Sequence, residues 1–533
     1  MATIFIEGFD KYGPPGLNTG AGTVPAYPQL SNVLPQGGWT LANTNNMKPT
    51  IAAGLSGQGY ALAISAVTSG SSSDAPGYVS KTLPQNYSRL IGGFRFNSDV
   101  LGLNGISFVD GSTPQCSIYI NRTSGFITVN TGGIAQTQSG ATGTALGTSS
   151  ASVAANSNHY LEYDITFAGS GGGSYTIWLD GVEILSGGGT TIVTTNAYAN
   201  VVQFNSYTNS LSTNTPSFQV DDVYLFDPTT SYNNAVLLSN PFIITQFPTS
   251  DSSVQFTPEA VIVGYPTANL LTNTNEEIFA NHLYLLPVVP EVNCTANSIV
   301  IMCESIAGAP QVKPAIYANS SGVPGSLLSG GSGVTPSTTN QPVTLPLTSS
   351  VALTAGTTYW IGFIVGGTYG NFNMVDGTSN GYTASATYSS GPPSTAPTMT
   401  SGQSTVFLYA ACTAPGHNFA AINLNPAQGA ISYVQDGTVG AQDTFGFAAL
   451  PSYVGSVYTV VVSANVEMTA AGSHTLDLVA ISGGTTGNGA KTGQALTTSY
   501  AWYDSPFDTD PNTTLPWSAT NVSLATYGYK LAS

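Results

Sequence analysis

Apolar and polar residues alternate over short stretches all along this chain, and glycine, serine, asparagine or proline separates one stretch from the next. A period of two marks half-buried strands, whereas a helix needs apolar residues three and four apart. On this pattern residues 3–9, 60–65, 89–96, 105–109, 117–121, 125–130, 159–167, 175–179 and 182–185 are predicted strands. The last two flank Asp180-Gly181, a pair that tolerates positive φ at both positions and so predicts a type I′ hairpin. The serine- and glycine-rich connection 139–157 reads as a surface loop. In Val220-Asp221-Asp222-Val223-Tyr224-Leu225-Phe226-Asp227-Pro228, strict alternation puts Phe218, Val220, Asp222, Tyr224 and Phe226 on one face. Asp221, Val223, Leu225 and Asp227 take the other face, and Pro228, without an amide donor, ends the strand. This strand is expected to close a first β-sandwich.

Composition supports an all-β chain, and regularly spaced strands with polar turns mean a sandwich or barrel. A length of 533 residues suggests roughly three domains at ~150 residues each. With 60 glycines, 32 prolines and only 7% charged residues, turns and strands are favoured over helices. A hydrophobic fraction of 41% is enough for packed cores, which argues against a disordered chain. The net charge of −17, with nine basic residues scattered from Lys11 to Lys530, opposes binding to nucleic acid or to an anionic bilayer. Residues 1–10 lack the basic and apolar regions of a secretory signal, and no run is long enough to span a membrane. Four cysteines are too few for a disulfide scaffold. Cys294 and Cys303 can be drawn facing each other across two strands, but with Cys116 and Cys412 they are expected to be buried free thiols. The four histidines show no zinc spacing, so neither a metal nor another cofactor is expected.

Three stretches carry a resemblance. Ile4-Phe5-Ile6-Glu7-Gly8-Phe9-Asp10, Trp178-Leu179-Asp180-Gly181-Val182 and Val220–Leu225 look like a concanavalin A-like (laminin G-like) jelly roll, in which the first and last strands lie side by side. Ala315-Ile316-Tyr317-Ala318, the following Gly322–Leu328, and Leu353–Gly362 resemble a second sandwich module common in surface proteins, with a hairpin first and an inner strand later. Ala441–Phe447, Asp510-Pro511-Asn512-Thr513, Pro516-Trp517-Ser518 and Ala525–Lys530 are similar to the C-terminal half of tailed-bacteriophage virion proteins of the fibre or decoration type. In those relatives a segment like 240–257 runs almost directly into one like 417–447. The resemblance therefore implies a jelly roll at 1–228 and a second sandwich made of 229–258 and 416–533, split by an inserted sandwich at 259–415. Three consecutive domains are the alternative.

Candidate chemistry is sparse. Glu162-Tyr163-Asp164-Ile165-Thr166 places Glu162, Asp164 and Thr166 on one strand face, as in glycosidases that carry a Glu-x-Asp-x-Glu strand. Glycoside hydrolysis needs two suitably spaced carboxylates, and Thr166 stands where the second acid belongs, so an exposed polar face is the expected reading. Asp222, on an otherwise apolar face, needs a partner. It is expected to cap loop amides; a structural Ca²⁺ shared with Glu7 and Asp10 is the alternative. Gly54-Leu55-Ser56-Gly57 lacks the nucleophile-elbow pattern. Trp39, Tyr119, Trp178, Trp360 and Trp517 are candidate sugar-stacking platforms, although Trp178 and Trp360 are expected in cores. No catalytic residue and no metal ligand is assigned, and the ligand-binding residues are left open.

What the resemblance implies is a non-enzymatic structural protein on the virion surface of a tailed phage, a head decoration or head fibre assembled in the host cytoplasm. Expected partners are other virion proteins, copies of the chain itself in a homo-oligomer such as a trimer, and host surface glycans. The alternatives are a receptor-binding tail fibre and, less favoured, a glycan-active enzyme.

Overall fold

The computed structural model describes residues 2–13, 34–42, 47–57, 59–66, 76–99, 103–121, 124–134, 143–207, 217–229, 238, 241–258, 261–265, 276–306, 309–339, 341–367, 370–372, 379–423, 432–469 and 472–533. Nearly everything regular in it is antiparallel β-structure. The first unit stacks two sheets. One runs Val182–Gly189, Gly173–Leu179, Asn158–Thr166, Arg89–Ser98, Ser217–Asp227, Tyr60–Ala66, Met47–Ala53, and Ala2–Glu7 also pairs with Ser217–Asp227. The other runs Ala145–Ser152, Phe126–Thr131, Thr113–Ile120, Leu103–Asp110, Ala199–Tyr207, Pro76–Tyr87, Trp39–Ala42. Alternate residues such as Phe94, Phe108, Ile118, Tyr163, Ile165 and Phe204 meet between the sheets in one buried core. The first and last strands of the unit do lie side by side, and Asp180 (φ 53°) and Gly181 (φ 81°) make the tight hairpin.

The closing strand departs from its predicted faces. Its pairing with Arg89–Ser98 is in register at Asp221↔Arg95 and resumes at Tyr224↔Gly93, so Asp222 and Val223 together oppose Phe94. This is a β-bulge, with Asp222 in the left-handed region at φ 48°. An extra residue flips every later side chain. Phe218 and Val220 therefore share the sandwich core with Val223 and Leu225, while Tyr224 and Phe226 turn outward onto Ile91, Tyr160 and Leu238.

Two further expectations are corrected. Residues 145–152, read as loop, form an edge strand against Phe126–Thr131. Most of its side chains are solvent-exposed, so backbone pairing holds it without leaving an apolar pattern. Cys294 and Cys303 lie on one strand, Cys294–Ile306, and so cannot face each other across two. All four cysteines are buried and free.

Strands between Val261 and Thr413 build two six-stranded sheets of their own, with a hairpin at Ser321-Gly322 (φ 54° and 86°) and Tyr359–Gly366 as an inner strand. The chain entering and the chain leaving these sheets meet. Ser250–Ser253 pairs with Gln442–Gly446, and Thr257–Pro258 pairs with Val434–Gln435. Asp443 ties the crossing: its carboxylate accepts from the Gln255 and Phe256 amides at 2.5 and 3.0 Å and from Asn418 Nδ2 at 2.5 Å. Beyond it, Gln442–Gly446, Thr526–Leu531 and Thr475–Ser482 form the centre of a last sheet, faced by the two-stranded pair Val460–Val466 and Ala501–Phe507. No helix among the described residues is long and apolar enough to cross a membrane.

Candidate functional site

The bulge gathers charged groups where the first unit meets the last. The Asp222 carboxylate accepts from Arg95 Nε at 2.9 Å and from the Ile243 amide at 2.8 Å. Arg95 also donates to the Pro241 carbonyl at 3.3 Å. One ion pair therefore holds the segment that leaves the jelly roll. Asp222 thus caps a loop amide, in a charged setting. The adjacent Asp221 accepts from the Leu55 and Asp222 amides at 2.8 and 2.7 Å. Burial, reinforced by the Asp222 charge, pushes the Asp221 carboxyl up to about 8, and burial raises Asp222 as well. Leu55, from the Gly54–Gly57 stretch, thus serves as a backbone donor to Asp221.

Glu7 and Asp10 do not converge on Asp222. Glu7 accepts from the Phe9 amide at 3.2 Å, from Tyr12 OH at 2.9 Å and from Trp39 Nε1 at 3.2 Å. Asp10 accepts from the Tyr60 amide at 2.5 Å, and burial pushes its carboxyl up to about 6. Among the described residues no three His, Cys, Asp or Glu side chains come together in a group that could hold a metal ion.

Beside Glu7, Lys11 reaches out of the first unit. Its Nζ lies 3.2 Å from Asp504 Oδ1 and 3.6 Å from Glu7, between the Tyr12 and Trp502 rings at 5.5 Å from each centroid. Ser463 Oγ donates to the same Asp504 at 2.6 Å. Burial disfavours the Asp504 charge, but Lys11 and Lys81 outweigh it and hold the carboxyl down at about 2. Thr3 Oγ1 to Asp508 at 2.6 Å extends the seam.

The strand Asn158–Thr166 carries the other acids. Glu162, Asp164 and Thr166 share its outer face, opposite Trp178, Thr176 and Ser174. Glu162 is buried and accepts from Tyr224 OH at 2.7 Å and from the Leu238 amide at 2.9 Å. Asp164 is locked to Arg89 by two hydrogen bonds of 2.8 and 2.6 Å. Both acids are thus held by neighbouring protein groups. Thr166 contributes its carbonyl to Thr191 Oγ1.

Four of the five aromatic platforms are buried. Trp39 donates to Glu7, Trp360 to Asn319 at 3.0 Å and Trp517 to the Phe507 carbonyl at 2.8 Å, while Tyr119 packs against Leu103 and Ile134. Trp178, expected in the core, is half-buried on the outer face. Tyr175, Ile177 and Leu179 take the inward positions of its strand, so alternation sends Trp178 outward beside Glu183.

A polar array adds residues that no sequence motif singles out. On the side of the second sheet away from the core, Asn205 Nδ2 donates to Ser107 Oγ at 3.0 Å and Ser107 Oγ lies 2.9 Å from Ser117 Oγ. Gln203 Nε2 donates to Asn205 Oδ1 at 2.6 Å, and Thr128 lies 3.1 Å from Thr148. The signal was present as polar residues two apart within apolar strands, at Ser117 and Tyr119, Thr128 and Asn130, Gln203 and Asn205. These groups form hydrogen bonds but supply no carboxylate or amine for proton transfer.

No family model matches the chain, and no curated protein matches it. Solved structures similar to parts of it share low identity. An endo-β-1,4-glucuronan lyase from the fungus Trichoderma reesei is 16% identical over 35% of this chain and 90% of its own, with a TM-score of 0.29. The carbohydrate-binding module CBM66 from Bacillus subtilis is 12% identical over 36% and 95%, TM-score 0.23. A carbohydrate esterase from a Shiga toxin-encoding bacteriophage is 14% identical over 37% and 92%, TM-score 0.25. The chain is an all-β protein of several sandwiches whose similar structures are β-sandwich proteins, carbohydrate-active enzymes and a binding module among them.

Proposed function

We propose that this chain is a structural, non-enzymatic protein on the surface of a tailed-phage particle, a head decoration or head fibre, whose outward faces contact host glycans. The observation that supports this reading is how its acids are engaged. Glu162 holds Tyr224 and the Leu238 amide, Asp164 holds Arg89, Asp222 holds Arg95 and the Ile243 amide, and Asp504 holds Lys11. A catalytic acid or nucleophile needs a carboxylate within reach of a substrate atom, whereas these tie strands and units together. The particle assignment comes from the resemblance at Ala441–Phe447 and Asp510–Lys530. Other virion proteins and further copies of the chain, as in a trimer, are its partners in this reading.

Half-buried Trp178, flanked by exposed Glu183, favours glycan contact as the activity of the jelly roll. An apolar ring face beside a hydrogen-bonding group is suited to a sugar. A tail-fibre adhesin would use the same feature. The purified chain on a glycan array should retain ligands without releasing reducing ends or unsaturated products, and Trp178→Ala should weaken retention. Turnover of any glycan sinks the non-enzymatic reading. Antibody labelling of particles separates head from tail, and absence of label from both sinks the particle role.

A further inference from the structure

The last sandwich is unevenly built. A six-stranded sheet centred on Gln442–Gly446, Thr526–Leu531 and Thr475–Ser482 is faced, among the described residues, by only two strands, Val460–Val466 and Ala501–Phe507. A sheet buries its apolar face only where a second layer covers it. Here the cover is short, so Phe447, Val457, Val460, Ala464 and Val466 pack on the core while remaining partly exposed.

The gap is a cavity of about 1170 Å³. Its walls include every residue from Val457 to Thr469, with Leu476, Tyr527 and Leu531 from the large sheet and the irregular segment 241–248. Strand side chains alternate between two faces, so a cavity touched by consecutive residues runs along the strand's edge. That edge is open: Val460–Val466 pairs with Ala501–Phe507 on one side and has no strand partner on the other among the described residues.

Monomeric proteins protect an open edge with lysine, proline, an inward charge or a bulge. Residues 457–466, Val-Tyr-Thr-Val-Val-Val-Ser-Ala-Asn-Val, contain neither a charge nor a proline, and their pairing with Ala501–Phe507 has no register break. Among the described residues the cavity wall carries five acids, Glu7, Asp10, Asp222, Asp436 and Glu467, and one lysine, Lys11, which is held by Asp504. Glu7 and Asp222 are engaged by Tyr12 and Arg95, and Asp436 and Glu467 lie nearest the open strand in the chain. With a chain charge of −17, this wall complements a basic occupant and repels a second acidic copy.

We propose that this groove receives one extended strand from a different protein, with alternating apolar side chains and lysine or arginine at its ends. The strand pairs with Val460–Val466, and its apolar face completes the core. The inference does not depend on the particle role.

The test uses the full chain and a fluorescein-labelled peptide, Lys-Lys-Val-Thr-Val-Thr-Val-Thr-Val-Lys-Lys. Its control has the same charge but proline at the central threonine and its two neighbouring valines, which removes pairing donors. Anisotropy should show saturable binding of the first peptide and at least tenfold weaker binding of the control. Glu467→Lys and Asp436→Lys should each weaken binding several-fold at a temperature where the variant is still folded by circular dichroism. Hydrogen exchange should show new protection at Val460–Val466 in the complex. Equal binding of the two peptides, or no binding, overturns strand pairing. Sedimentation of the free chain as a dimer with Val460–Val466 already protected overturns the choice of a foreign strand and assigns the groove to a second copy.

Discussion

Replacing Asp504 by asparagine tests the seam between the first and last units. Asp504 is held between Lys11 Nζ at 3.2 Å and Ser463 Oγ at 2.6 Å, with its carboxyl lowered from 3.8 to about 2. At ~1.4 kcal/mol per pH unit, that depression corresponds to roughly 2.5 kcal/mol of preference for the ionised form in the folded protein. Asp504→Asn keeps the shape and removes the charge, leaving Lys11 with Glu7 at 3.6 Å. Stability should fall by about 2–3 kcal/mol, below the ~3–5 kcal/mol for fully orphaning a buried partner. For a unit of this size the melting transition should drop by about 5–10 °C. Calorimetry is the assay, because it can resolve separate transitions in a multidomain chain. Since the folded value is depressed, the stabilisation is present above the unfolded value near 3.8 and is lost as pH falls through about 2. The gap between wild type and variant should therefore be full at pH 7, shrink by pH 3 and close near pH 2. Lys11→Met should behave similarly, and the double variant should lose little beyond the larger single loss. An unchanged Tm at pH 7, or a gap that persists undiminished at pH 2, would falsify the account of this seam.

Three further outcomes follow from the fold. Gly93→Ala places a Cβ within 2.8–2.9 Å of Tyr224, Glu162 and Tyr160 side-chain atoms, so it should destabilise the jelly roll by about 1–3 kcal/mol in urea unfolding; a neutral result would show that this packing yields. Asp443→Ala strips the acceptor from the Gln255 and Phe256 amides and from Asn418, at ~1–3 kcal/mol for each donor left buried. Limited proteolysis should then cut both near residues 255–258 and near residue 418 and so release the 261–413 sheets as a resistant fragment, whereas an unchanged digestion pattern removes the clamp assignment. Asp221 and Asp10 are raised to about 8 and about 6 from 3.8, so the stability they contribute is present below pH 4 and is lost as pH rises through 6 and 8. The Tm should climb on acidification from pH 9 to pH 5, and Asp221→Asn should flatten the upper part of that climb; a wild-type Tm that is level across this range contradicts the raised values.

What the sequence carries and what it hides are separated by range along the chain. The Asp180-Gly181 hairpin was legible because both residues must adopt positive φ, a demand met by the local residue types. Edge strand Ala145–Ser152 was not, because its exposed serines and threonines leave the pairing to the backbone. The closing strand shows both cases at once. Its apolar run announces a strand, and nothing in that run announces the bulge. Asp222 keeps its unusual φ with its carboxylate between Arg95, 127 residues away, and the Ile243 amide, 21 residues away. Two adjacent aspartates therefore read alike in the sequence and differ in the fold, Asp221 bonded to the Leu55 and Asp222 amides, Asp222 to a cation and the departing chain. The same extra residue turns Tyr224 outward, where its hydroxyl occupies Glu162. The bulge thus decides which residues face the core, where the chain leaves the jelly roll, and which partner meets the acid that most resembled a catalytic one.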